Sequence, residues 1–430
     1  MRRLMPTVSL RALRRSARPA VDGDARSVAE PIVDRVLRGG LPAALREGRR
    51  FGEVAAGASV VLDRSDLRRS LDRARRSLGG EPIRLLERAA ERIRRFAAAQ
   101  RASVRDIACR TDRRDGRMTL RQRMVPLATA GCYAPGGRYP LPSSALMTAI
   151  PARVAGVAEV WLATPKPTPI MLAAAAIAQV DGLLALGGAH AIALLARGDA
   201  AIGPPSSIVV GPGNAFVTAA KAIIRERGLS AIDGLAGPSE VLIVADASAD
   251  PATVAADCIA QAEHDPQSMV WLLATDERLP NLVRRALREQ LADLPTAPIA
   301  RVALLRSRAV VLSTIDEAVT LANELAPEHL ELHVRRAATV ARRCVAYGSL
   351  FVGGAAAEVF GDYGIGPNHT LPTGGTARHA AGLSVFDFLR ARTSVEGQPS
   401  PALVREVAGF ARLEGLEGHA RAATRRSPSR

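Results

Sequence analysis

Between residues 27 and about 100, apolar residues recur at helical spacing among charged positions, as in Val28, Ile32 and Val36 and later Ile83, Leu86, Ala89 and Ile93. A helical N-terminal region is therefore expected. From 124 to 235 the texture changes to short apolar runs alternating with Ala-rich stretches. The pattern there predicts strands at 159–163, 182–186 and 207–210 and helices at 168–179, 189–196 and 215–227. A second block predicts strands at 240–245, 270–274, 309–312 and 350–352, with helices at 251–263, 280–291 and 315–324. Strand and helix alternating at this spacing argue βαβ units and parallel sheets. The expectation is an α/β chain with two doubly wound domains. Residues 1–122 form an arm and helical region packing on the second α/β domain, 123–236 the first α/β domain, 237–383 the second, and 384–430 a thin tail with one or two amphipathic helices. The tail ends in a polar Arg/Ser/Pro stretch expected to be disordered. No internal repeat of 20–50 residues is visible.

A chain of 430 residues, 48% hydrophobic, exceeds what one core usually organises, which agrees with several domains. Its apolar runs are too short for a membrane span. The formal charge of +16 raises a nucleic-acid reading, because a clustered basic face neutralises phosphates. Here the excess is scattered and almost wholly arginine, Lys166 and Lys221 being the only lysines, and aromatics make up only 3%. That leaves little for base stacking. Cys109, Cys132, Cys258 and Cys344 lie far apart with no C-x-x-C pair, so they read as reduced thiols of a cytoplasmic protein. The first twenty residues are Arg-rich and lack acidic residues. A transit segment has that composition, but the whole chain is Arg-rich and a terminal arm is the preferred reading.

Four segments can carry chemistry. Gln261 and His264 are three apart near the end of a helix opened by Asp250 as N-cap and Pro251 at its first position, and side chains so spaced share a face. They can reach one metal ion, or they decorate a solvated helix end. A zinc site needs further ligands from elsewhere. Glu328 and His329 precede alternating Leu330, Leu332 and Val334, a strand pattern whose polar face carries His329, Glu331 and His333. This is either an exposed edge or a base pair for proton transfer. The run GDYGIGPNH at 361–369 implies a tightly shaped loop rather than a helix, carrying Asp362 and His369. GPGN at 211–214 lies between a strand and a helix start, where backbone N–H groups receive anions, although the full dinucleotide fingerprint is absent.

Together these segments resemble the histidinol dehydrogenase family. GCYAPGGR at 131–138, PLPSS at 140–144 and VVGPGN at 209–214 look like its nucleotide-side motifs. LAGPSE at 235–240, AQAEHDP at 260–266, ELAPEHL at 324–330, the run 361–375 and EGLEGHA at 414–420 look like its active-site motifs. The likeness is dense from about 125 to 423 and weak before that. It implies two Rossmann-like domains and an enzyme that oxidises L-histidinol twice, through L-histidinal, to L-histidine, the last step of histidine biosynthesis, using zinc and NAD. The zinc ligands it implies are Gln261, His264, Asp362 and His419, and the catalytic pair is Glu328 and His329. Substrate contacts fall on Ser239, Gln261, His264, His329, Asp362, His369, Glu414 and His419. NAD contacts fall on Tyr133, His190 and Asn214. His190 departs from the family's usual Gln, and an imidazole can replace one of the amide's hydrogen bonds but not its side-by-side donor and acceptor at once. The resemblance also implies a homodimer in which the tail of one subunit completes the zinc site of the other.

In this reading zinc orients the substrate and acts as Lewis acid, His329 takes the hydroxyl proton, and Glu328 activates water for the second oxidation. A cysteine thiohemiacetal at Cys132 is the alternative route, disfavoured because no His flanks it in sequence. A relative acting on another small polyol or sulfonated alcohol is the alternative activity, and the presence of Glu414 and His419 favours an amino-imidazole substrate instead. A basic scaffold protein without activity is the reading from a different class. NADH release with histidinol as sole substrate separates these.

Overall fold

The computed structural model describes residues 4–14, 23–55, 57, 59–136 and 139–426. Much of the Arg-rich arm, Gly137 and Arg138 of the first motif, and the last four residues of the polar tail lie outside them.

Fourteen strands are found among the described residues. In chain order they are β1 (Val61–Asp63), β2 (Ile107–Arg110), β3 (Gly116–Pro126), β4 (Thr129–Tyr133), β5 (Glu159–Ala163), β6 (Gly182–Leu184) and β7 (Ile208–Val210). The rest are β8 (Ala231–Ile232), β9 (Glu240–Ala245), β10 (Met269–Ala274), β11 (Arg308–Val311), β12 (His329–His333), β13 (Ser349–Val352) and β14 (Leu389–Pro399). They form three sheets, ordered β1-β6-β5-β4-β7-β8, β11-β10-β9-β12-β13 and β14-β3-β2. In the first sheet only β1 runs antiparallel. All pairings of the second are parallel. Each of these two sheets is packed on both faces by apolar clusters. That is why their strands read as near-continuous apolar runs, EVLIVA and MVWLLA being wholly buried.

The predicted α/β alternation is therefore present in both blocks, with strand and helix bounds moved by one or two residues. Helix Pro251–Ala262 opens as expected, with the Asp250 carboxylate accepting from the backbone N–H of Ala252 and Thr253. Two features differ from expectation. The helical N-terminal region packs on the first sheet rather than on the second domain. Helix Gly23–Arg50 lies against helices Gly188–Arg197 and Ala215–Glu226, and β1 joins the first sheet's edge beside β6. The physical reason is its apolar stripe, Ala29, Ile32, Val33 and Val36, which completes the cluster containing Leu194 and Ile223. Only residues 4–14 lie on the second sheet, where Val8 N–H donates to Ala309 O at 2.9 Å and Leu13 joins the core.

The second difference is the three-stranded antiparallel arm. β14 pairs with β3 over its whole length, and its residues alternate little because most are exposed. From it hang helices Pro401–Leu413 and Glu417–Thr424, which bury Ala408, Ala411 and Ala420 against each other. Among the described residues no helix is long and apolar enough to cross a membrane.

Candidate active site

β12 is a central strand, flanked by β9 and β13, and not an edge. Its Leu330 and Leu332 enter one core cluster, while His329, Glu331 and His333 share the opposite face in register with Val241, Ile243 and Ala245 of β9. Over that face lies helix Pro251–Ala262. A helix following a parallel strand runs back toward the strand's amino end, so Gln261 and His264 arrive at the amino edge of the sheet. His329 begins β12 there with Glu328 just before it, and Glu240 begins β9 with Ser239 just before it.

Asp362 reaches the same edge on the short helix Glu358–Asp362, whose first and last residues are four apart and share a face. The expected helix-free loop therefore starts only after Asp362. It lies against the N-terminal helix Gly80–Ser103. Gly366, at φ 129°, is close enough that a Cβ would come within 2.9 Å of Phe96 Cβ, so a side chain is excluded there.

His264 Nε2 is 3.6 Å from both Glu358 Oε1 and Asp362 Oδ2. His329 Nδ1 is 3.6 Å from Glu358 Oε2 and 3.9 Å from Glu328 Oε2. Glu328 Oε2 accepts from the backbone N–H of Glu240 at 2.9 Å. His369 is fixed as one tautomer, Nδ1–H donating to Asp362 O at 3.2 Å while Nε2 accepts from Ser144 Oγ at 3.3 Å. Ser144 belongs to helix Pro142–Ala155 of the first domain, so the site is walled by both domains. Glu358 and Ser144 are the site residues the candidate list lacked, although PLPSS was read as a nucleotide-side motif.

The electrostatics are those of a crowded, dry acidic site. Burial, then the charges of Glu240, Glu358 and Asp362, push the Glu328 carboxyl well above its usual range. Burial and the Asp362 charge do the same to Glu358, and burial takes Asp362 up to about 6 and Glu240 to about 7. Burial, reinforced by His264, drives His329 down to about 3, so its imidazole is neutral. Gln261 is fully buried, and both its Oε1 and its Nε2 lack a hydrogen-bond partner. A side-chain amide in that state is costly unless something binds it. His264, Glu358 and Asp362 each turn one ligand atom to within 4.8 Å of the others. Imidazole, carboxylate and amide oxygen suit a borderline divalent ion such as zinc, and the residues present fit one.

Glu414 and His419 are exposed, and among the described residues His419 is not part of this ligand group.

The nucleotide-side candidates converge elsewhere. Strand order reverses between β4 and β7, the switch point at whose carboxyl edge ligands bind in open α/β sheets. Tyr133 ends β4 and GPGN follows β7. Gly211, at φ 121°, lies against Tyr133 O so closely that a Cβ would come within 2.1 Å of it. Asn214 caps helix Ala215–Glu226, its Oδ1 accepting from Phe216 and Val217 N–H. Tyr133 OH accepts from Gly188 N–H at 3.2 Å. His190 is 1% exposed, stacks on Phe51, and donates from Nε2 to Glu53 Oε2 at 3.1 Å, an oxygen that also accepts from Gly187 N–H. Cys132 is fully buried in the first core with its thiol pushed up to about 12 by burial, which removes it as a nucleophile.

The profile of the histidinol dehydrogenase family matches residues 15–427. The chain is 43% identical over 399 residues to a histidinol dehydrogenase of Thermus thermophilus, covering 91% of this chain and 94% of that one. Over 409 residues it is 39% identical to that of Ralstonia nicotianae, covering 93% and 90%. The crystal structure of histidinol dehydrogenase from Elizabethkingia anophelis superposes with a TM-score of 0.88 at 31% identity, covering 99% of this chain and 98% of that one. A sheet edge gathering Gln261, His264, Glu328, His329 and Asp362 and a match over nearly the full length lead to one assignment: the chain belongs to the histidinol dehydrogenase family, a family of oxidoreductases.

Proposed function

We propose that the chain oxidises L-histidinol to L-histidine in two NAD-linked steps, with zinc held by Gln261, His264, Asp362 and His419 of the partner subunit. The observation that carries this reading is the fully buried Gln261 amide, unpartnered at both atoms and three residues before His264, whose Nε2 faces Asp362 Oδ2. Zinc, when bound, supplies a template for the amino and imidazole groups of the substrate and a Lewis acid at the reacting end.

The chain's own residues do the proton work. His329, whose Nδ1 has no hydrogen-bond partner, accepts the hydroxyl proton as the first hydride departs. Glu328, held by Glu240 N–H and made more basic than an ordinary carboxylate by its burial, takes a proton from water at the aldehyde stage, producing the hydrate that is oxidised next. Ser239, His369 and Glu414 of the partner subunit orient the substrate, and Ser144 keeps His369 in place. NAD would be held at the switch-point crevice, with Tyr133 and Asn214 as its contacts. His190 serves that side through Glu53, which holds both its ring and Gly187 N–H. In this reading residues 123–236 form the NAD side and 237–383 carry the zinc and catalytic residues.

A homodimer with exchanged tails completes the site. The tail helices expose Val407, Phe410, Leu413 and Leu416, Leu413 at 86%, and have almost no core of their own, so a second copy covers them. Mixing the purified protein with histidinol and excess NAD should yield two NADH per histidine formed, and chelation should abolish the reaction until zinc is restored. One NADH per turnover, or full rate in verified metal-free protein, overturns the reading.

A further inference from the structure

We propose that Asp257, Glu331 and His333 form a second divalent-metal site, distinct from the one around His264 and Asp362 and one helical turn away from it. Asp257 precedes Gln261 by four residues on helix Pro251–Ala262, and Glu331 and His333 follow His329 on the same face of β12. The helix that carries Gln261 and the strand face that carries His329 therefore also bring Asp257 to Glu331 and His333, about 6 Å further along the helix.

Three atoms converge there. His333 Nε2 is 3.2 Å from Asp257 Oδ2 and 3.4 Å from Glu331 Oε2, and the three lie within 4.8 Å of one another. All three are buried, and none has a partner of hydrogen-bond geometry. Glu331 is completely buried and His333 nearly so. A single N–H at Nε2 points along one line and serves one oxygen, leaving the second carboxylate unpaired in the core, which is costly. One ion bonded to all three satisfies them together. Ligands about 2.0–2.2 Å from a tetrahedral zinc are about 3.3–3.5 Å apart, close to the two separations seen. One imidazole and two carboxylates with no thiolate select a first-row divalent ion.

The other oxygen of Glu331 accepts from Glu358 N–H at 2.8 Å. An ion here ties together the helix bearing Gln261, the strand bearing His329 and the turn bearing Asp362. Its role is to brace the active-site wall.

The test is zinc content. Full-length protein is stripped with chelator, reloaded with zinc, desalted, and assayed for metal per chain, with circular dichroism reporting the fold. Wild type should hold two zinc ions, and His333→Gln one. Asp257→Asn, at the cluster's solvent edge, should also hold one and covers the case in which His333→Gln does not fold. His264→Ala should lose the other ion independently. If His264→Ala keeps both ions while His333→Gln keeps one, the proposed active-site metal fails and the second site stands. Equal zinc in wild type and in folded His333→Gln or Asp257→Asn overturns the proposal.

Discussion

Replacing Gln261 by Leu should reverse the order of stability between metal-free and zinc-loaded protein. The Gln261 side chain is fully buried with both amide atoms unpartnered, and leaving such groups unmet costs roughly 1–3 kcal/mol. Leucine has a similar volume and no polar atoms. In chelator the variant should therefore gain about 2 kcal/mol relative to wild type. For a cooperative unit the size of one of these domains, that is about 4–8 °C in melting temperature. Zinc at a hundred times its dissociation constant adds about 2.7 kcal/mol to wild type, and the variant, missing a ligand, gains less. The two melting curves should cross over on adding zinc. Scanning calorimetry on both proteins, in chelator and at graded zinc, reads this directly. An ion at Asp257, Glu331 and His333 stabilises both proteins alike and drops out of the comparison. A Gln261→Leu protein melting several degrees below wild type in chelator would refute the reasoning, because the amide would then have partners in the metal-free chain.

Three further outcomes are expected. Glu328→Gln should slow oxidation of histidinal by about 10²-fold or more, as for a lost general base, and oxidation of histidinol much less; equal slowing of both substrates in stopped-flow assays contradicts a role confined to water activation. His264→Ala and His419→Ala dimers, each inactive, should recover roughly a quarter of wild-type activity after random re-association, because half the dimers are hybrids with one complete site in two; no recovery in a mixture shown to contain hybrids rejects exchanged tails. Burial alone would raise the Glu53 carboxyl, but its bonds to His190 and Gly187 N–H hold it below the usual glutamate value. Its stabilisation is therefore present above that value and lost as pH falls through the lower, folded one. The melting-temperature gap between wild type and Glu53→Gln should close as pH falls through and below the ordinary glutamate range, and a gap independent of pH would show that the carboxylate's charge is not what matters.

Both α/β blocks were legible because a doubly buried parallel strand needs an unbroken apolar run and the helices between such strands need one apolar stripe. The antiparallel arm was not. β3 and β14 read GRMTLRQRMVP and LRARTSVEGQP, the first largely half-buried with no fully buried residue and the second mostly exposed, so neither carries the buried alternation by which a strand is recognised. Their pairing spans some 270 residues of sequence, and no local pattern reports such a contact. The docking of the N-terminal helices was misplaced for a related reason. Their stripe shows that they are covered, but the choice between two Ala- and Val-rich surfaces is made by shape.

The candidate site shows the same division. Residues lying inside a dense motif, Gln261, His264, Glu328, His329 and Asp362, were named and do converge, whereas Glu414 and His419 stay with an exposed tail in one chain. Glu358 was missed because the loop reading of the segment after it hid a single helical turn, on which positions 358 and 362 share a face. Spacing four between two acids, directly before a glycine-rich stretch, was the available signal. The polar face of β12 was visible, and both readings allowed it, but only the sheet order separates them. In an edge strand His329, Glu331 and His333 would be solvated and inert. At the centre of a parallel sheet the same three side chains are driven out of water beside Glu328, Glu358 and Asp257. Burial there turns an ordinary polar stripe into one that demands cations. That demand connects the unpartnered Gln261 amide at one end of the face with the unpartnered Asp257, Glu331 and His333 atoms further along it.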